Sequence, residues 1–262
     1  MSPALAAFEL LEVAGPDAER FLQSQLASDL RPVSQGSGQF SAWLNPQGRV
    51  VAFFPLFRLA PDAFVLAIAF GRSTELAERL RRFVFRSKVT IRVRPDLIVR
   101  DGASVPESVL AGLNVPGSDT RHFWLQASSP DSPSQAQPGV ADIAAGLPFL
   151  DATRSELFIG HALGLKRLGA ISVGKGCYPG QEIVARTHFL GRNKRALCRL
   201  SGLDPNQTDH RILSADSGQP LGELALAIGG DGLAVLHEPQ PGMAITDAAG
   251  RHLVLEQVFA DS

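Results

Sequence analysis

The sequence predicts an α+β protein that ends in a small β-barrel. Three observations carry this. Strands and helices alternate irregularly through the first 190 residues, one segment poor in large apolar residues interrupts them, and from Gly191 the pattern changes to short strands joined by Gly and Pro turns. At 262 residues and 45% hydrophobic content, the chain has enough apolar surface for two or three subdomains. The expected division is 1–190, holding two α+β subdomains, and 191–262, the barrel.

Phe8 to Val13 reads as a first strand, closed by Gly15, Pro16 and Asp17. Ala18, Phe21, Leu22 and Leu26 then recur at spacings of three and four, the apolar face of a helix. Phe40, Ala42 and Leu44 alternate, Asn45 to Gly48 supply turn chemistry, and Val50 to Leu59 returns as an extended apolar run, so this is a β-hairpin. Phe64 to Ala69 is a further strand leading into a helix capped by Ser73, with Leu76, Leu80 and Phe83 turned inward. Val89, Ile91 and Val93 alternate with Thr90 and Arg92, a half-buried strand. Gln126 to Gly139 is rich in Ser, Pro, Gln and Asp and predicts a flexible loop, because it cannot bury enough surface to offset its ordering entropy. An ordered block resumes at Ala141. The barrel strands are expected at Ala196 to Leu200, Gly222 to Ile228, Leu233 to Leu236 and Leu253 to Val258.

No apolar run approaches the roughly 18 residues of a membrane span, and the N-terminus lacks the pattern of a signal peptide, so the expectation is a cytoplasmic protein without membrane contact. Two cysteines, Cys177 and Cys198, make no disulfide scaffold. His161 and His188 flank Cys177 at separations that fit no compact metal motif, so no metal is expected. Net charge is −1, yet Arg79, Arg81, Arg82, Arg86, Lys88, Arg92 and Arg94 follow one another without an intervening acid, and Arg186, Arg192, Lys194, Arg195 and Arg199 form a second group. Brought together they would hold phosphate or polycarboxylate; kept apart they are solvated faces. With no exposed aromatics interleaved among them, any RNA contact is expected to be weak.

The densest chemistry is Lys175-Gly176-Cys177-Tyr178-Pro179-Gly180-Gln181-Glu182. Two glycines let backbone and sulfur approach a ligand closely, and the polar side chains need partners if they are buried. Pro179 and Gly180 precede a helix start in which Glu182 suits the first turn and Arg186 lies one turn on. Cys177 then sits just before the helix N-terminus with Lys175 nearby, a setting that favours ionisation relative to the usual thiol value of about 8.5. The competing reading is a small buried residue in a tight turn.

That segment, with Ala185-Arg186, Gly191 and Asn193-Lys194-Arg195-Ala196, resembles the signature of the YgfZ family, folate-binding proteins related to the T-protein (aminomethyltransferase) of the glycine cleavage system. The similarity extends through Gly15-Pro16-Asp17, Asn45-Pro46-Gln47-Gly48-Arg49, Arg86-Ser87-Lys88 and Leu168 to Ser172. It implies aminomethyltransferase-like, folate-binding subdomains around a central channel for tetrahydrofolate or a derivative. It also implies support of iron–sulfur cluster assembly or repair, through which some tRNAs are modified, with iron–sulfur proteins or assembly factors as partners. On the resemblance Cys177 is the functional cysteine, with Lys175 beside it and Gly176, Tyr178, Gly180, Gln181, Glu182 and Arg186 as motif companions; Phe8 takes the aromatic position beside folate. Where the transferases carry a catalytic Asp after the hairpin, this chain has Val50, Val51, Ala52, Phe53 and Phe54, and Ala144 replaces a pterin-gripping Glu. Without that carboxylate, one-carbon transfer in the aminomethyltransferase manner is the secondary reading.

Overall fold

The computed structural model describes residues 6–129, 135–191 and 194–260. The chain opens with β1 (Glu9–Ala14) and α1 (Ala18–Gln25), then β2 (Gly38–Leu44), β3 (Val50–Ala60), β4 (Ala63–Ile68), α2 (Ser73–Arg81) and β5 (Thr90–Val93). The strands form one antiparallel sheet in the order β2-β3-β4-β1-β5. Alternation along each strand divides the apolar residues between two layers. Leu11, Val13, Trp43 and Leu66 face Phe21 and Leu22 of α1 and Leu76 and Leu80 of α2. Leu10, Phe40, Phe53 and Val65 face the rest of the molecule.

On that second face Phe8, Phe40, Phe53, Phe123 and Phe149 pack ring against ring. Phe40 stacks on Phe53 at 5.1 Å, and Phe8 meets Phe149 edge-on at 5.1 Å. Each buried ring contributes about 2–3 kcal/mol by leaving water, and the ring geometry adds a fraction more.

A second sheet follows, with β6 (Leu97–Gly102), β7 (Ala111–Asn114) and β8 (His122–Ala127) in the order β6-β8-β7. After α3 (Val140–Ala145) an irregular segment leads to α4 (Gln181–Phe189). The C-terminal strands β9 (Arg195–Ser201), β10 (Arg211–Ser214), β11 (Pro220–Ile228), β12 (Asp231–His237), β13 (Ile245–Asp247) and β14 (His252–Phe259) close into a barrel ordered β10-β11-β12-β9-β14-β13.

Three expectations change. Ser73 does not cap α2: Arg72 holds the cap position, and the Ser73 amide and hydroxyl donate to the Glu9 carboxylate at 3.1 and 2.5 Å. Phe83 lies beyond the end of α2 and is 42% exposed, meeting Trp43 edge-on. The 126–139 loop is ordered at both described ends, while its residues 130–134 lie outside the described residues. Gln126 and Ala127 complete β8, and Ala136 is buried where its amide donates to the Val99 carbonyl and its carbonyl accepts from the Phe8 amide. Main-chain bonding orders a stretch whose side chains gave no reason to expect it.

Candidate functional site

The cysteine motif is held from below by its own side chains. The Lys175 ammonium is buried and donates to the carbonyls of Gln23 and Leu26, at 2.6 and 2.5 Å, where the last turn of α1 leaves acceptors unsatisfied. It also lies 5.0 Å from the centre of the Tyr178 ring. Burial pulls its pKa down to about 8, while the nearby Asp29 carboxylate opposes that fall. Tyr178 donates its hydroxyl to the Ser172 carbonyl at 2.8 Å, and burial pushes that phenol up to about 12. Lys175 and Tyr178 are thus anchors. Between them Gly176, at φ +99°, and Cys177 remain on the exposed crest. The ammonium assigned to the thiol from sequence is directed at the end of α1.

Downstream, Gly180 caps α4 in the left-handed region at φ +81°, where an L side chain is strained. The Gln181 amide donates to the Tyr178 carbonyl at 3.2 Å, closing the turn. Glu182 lies in the first turn and Arg186 in the last; both are exposed, and they form no ion pair with each other. The cap packs on the tip of the β2–β3 hairpin. Asn45 accepts the Gly48 amide through its carbonyl and the Arg49 amide through its side chain, and donates to Glu156, which also pairs with Arg79. Two of the segments that carry the family resemblance, about 130 residues apart, therefore form one structural unit.

His161 is buried and stacked on His188 of α4 at 6.2 Å between ring centres. Burial, with His188 and Lys166 nearby, pushes its pKa down to about 4. Among the described residues no group of His, Cys, Asp and Glu is arranged to hold a metal. Cys198 is fully buried in the barrel core, and burial raises its thiol to about 12.

Phe8 is 1% exposed within the ring cluster and takes a core position. Val50 to Phe54 are all buried apolar residues, so no carboxylate stands on that stretch of β3. A cleft of about 550 Å³ opens elsewhere, between the 151–154 turn and the barrel. Phe70, Leu226 and Ile228 form apolar walls, and Asp151, Arg154 and His210 a polar one. Arg154 is held by Asp151, donates to the Leu224 carbonyl at 3.3 Å, and lies 3.0 Å from the His210 ring nitrogens. The cleft is lined neither by the cysteine motif nor by Phe8. Sequence reasoning missed it because its walls come from four separated segments; the only local signal is the Asp151-x-Thr153-Arg154 turn, in which Asp151 accepts the Thr153 and Arg154 amides. No helix among the described residues is long and apolar enough to cross a membrane.

Comparison with known proteins bears on the fold and the family. Residues 5–97 match a family described as the GCVT N-terminal domain. The glycine cleavage system aminomethyltransferase T from Bartonella henselae has the same fold, with a TM-score of 0.71 over 98% of this chain and 85% of that one at 15% identity. An uncharacterized protein of Haemophilus influenzae is 32% identical across 74% of this chain and 70% of its own length. The tRNA-modifying protein YgfZ of Enterobacter sp. is 31% identical across 74% and 69%, and that of Cronobacter sakazakii 30% identical across 74% and 68%. With that identity over more than two thirds of those relatives, the chain belongs to the YgfZ family.

Proposed function

We propose that this protein serves tRNA modification in the cytoplasm as a folate-binding accessory factor, presenting the Cys177 thiol to iron–sulfur proteins or their assembly factors. The observation that carries the reading is the display of Cys177. An exposed sulfur stands on a crest whose flanking side chains, Lys175 and Tyr178, are both buried and bonded. A cysteine serving only to fill space would be buried, as Cys198 is.

Tetrahydrofolate is assigned to the cleft beside the barrel. Its volume lies in the usual range for small-molecule sites, and apolar walls with a few convergent polar groups suit a flat heterocycle with a polar edge. Phe70, Leu226 and Ile228 would pack its faces, with Asp151, Arg154 and His210 at its edge. When bound, folate would supply a carrier for one-carbon units; the residues of this chain bind and orient it. One-carbon transfer in the aminomethyltransferase manner is set aside, because the β3 stretch where the transferases carry their catalytic Asp is apolar here, Val50 to Phe54.

The test is complementation of a strain lacking the protein, read as the level of thiolated tRNA. Cys177→Ala should fold normally and fail; full restoration would remove the thiol from the function. Separately, calorimetric titration with tetrahydrofolate should give the same affinity for wild type and Cys177→Ala. Ala227→Trp, which fills the cleft, should abolish binding, and undiminished binding by that variant would take folate out of the cleft.

A further inference from the structure

The turn between α2 and β5 carries an arrangement that neither the cysteine nor the cleft explains. The Ser87 amide donates to the Val84 carbonyl at 2.8 Å, which places Phe85 and Arg86 at the two central positions of a tight turn. Phe85 is 89% exposed, and its backbone lies in the left-handed region at φ +36°, where a bulky side chain is strained. Solvation favours a small polar residue here, and backbone geometry favours glycine. Phe83, 42% exposed, stands two residues before it, so exposed aromatics do lie among the cations of residues 79–94, contrary to the expectation from sequence.

The charges around these rings divide into two groups. Arg79 pairs with Glu75 and Glu156, Arg92 with Glu12, and Arg94 with Glu12 and Asp96, while Arg81 donates to the Ile91 carbonyl. Arg82, Arg86 and Lys88 are exposed, and their cationic groups have no partner among the described residues. The nearby Asp17 carboxylate accepts the Lys88 amide at 2.7 Å. Beside the turn is a shallow hollow lined by Gly15, Pro16, Ser87, Lys88 and Thr90. Its floor is tightly built: the Lys88 carbonyl approaches so closely that a β-carbon on Gly15 would stand 2.3 Å from it.

From this geometry we infer that the Arg82–Lys88 turn is a docking surface for unpaired RNA, on which a base stacks against Phe85 while Arg82, Arg86 and Lys88 hold flanking phosphates. Single strands are bound by cations that follow the backbone together with aromatic faces on which bases stack, and both parts are present within a few residues here. Cations alone would suit any polyanion; the strained, exposed ring is what favours a partner with flat faces. The inference is independent of folate and of Cys177, whose motif lies elsewhere in the fold.

The test is fluorescence anisotropy on the full chain with a labelled single-stranded RNA of about 12 nucleotides. Phe85→Gly should weaken binding about tenfold. Glycine accepts the turn's φ, so that variant should keep or raise the melting temperature, separating loss of the ring from loss of the fold. Replacing Arg86 and Lys88 together by Ala should flatten the slope of log affinity against log salt by about 1.4. The inference is overturned if no RNA binds, if Phe85→Gly binds as wild type does, if the salt slope does not change, or if duplex RNA or polyglutamate binds as tightly as the single strand. Failure here would leave the complementation result for Cys177 untouched.

Discussion

Gly180 and Gly48 lie in direct apposition: a β-carbon on Gly180 would stand 2.7 Å from the Gly48 α-carbon and 2.7 Å from the Asn45 carbonyl oxygen. One glycine caps α4 at φ +81°, the other turns the β2–β3 hairpin at φ +72°. Their contact joins the cysteine segment to the N-terminal sheet. Gly180→Ala should therefore meet both backbone strain and a steric clash with main chain that cannot rotate away. The expected loss is at least about 2 kcal/mol, read from the urea midpoint. An alanine variant as stable as wild type would mean that the two loops do not touch.

Lys175 tests whether the crest depends on its anchor. Lys175→Met keeps the length of the side chain and removes the donor, leaving the Gln23 and Leu26 carbonyls at the end of α1 without it. A cost of about 1–3 kcal/mol is expected from that unmet demand. The Cys177 segment should also become more susceptible to protease. If Lys175→Met unfolds at the wild-type urea concentration, the ammonium contributes nothing to holding the motif.

The N-terminal sheet and α1 were legible in the sequence because alternation and helical spacing report burial directly, as at Phe40, Ala42 and Leu44 or at Phe21 and Leu22. The middle sheet was not. β7 is four residues with Gly112 at its second position, and β6 runs from apolar Leu97 to Val99 into Arg100, Asp101 and Gly102, so neither has a period to read. β10 and β13, of four and three residues, escaped for the same reason. At the site, Cys177 and its companions were visible as residue types, but not the direction each side chain takes. Nothing local tells that Lys175 reaches α1 or that Phe85 faces water, since both depend on which distant segment arrives alongside.

The two thiols should differ sharply in chemistry. Cys177 is exposed, whereas Cys198 is sealed in the barrel with its pKa pushed up to about 12. Brief treatment of the native protein with iodoacetamide at neutral pH should label Cys177 alone, and Cys198 only after denaturation, as read by peptide mass spectrometry. Equal labelling of both in the native state would contradict the burial of Cys198.

His161 gives the fold a defined response to acid. Its imidazole is buried against His188, its Nε2 has no hydrogen-bond partner, and its pKa is pushed from 6.5 down to about 4. The folded state therefore holds the neutral ring at pH values where the unfolded chain already binds a proton. The associated stability is fully present above about pH 6.5 and declines as pH falls toward 4, by at most about 3 kcal/mol. Below that, both states are protonated and the loss is complete. His161→Leu removes the titrating group without removing a bond to Nε2. Urea midpoints of that variant should change less than those of wild type between pH 7 and pH 4.5, which bracket the upper part of the window. Parallel declines in the two proteins would show that other groups carry the acid sensitivity.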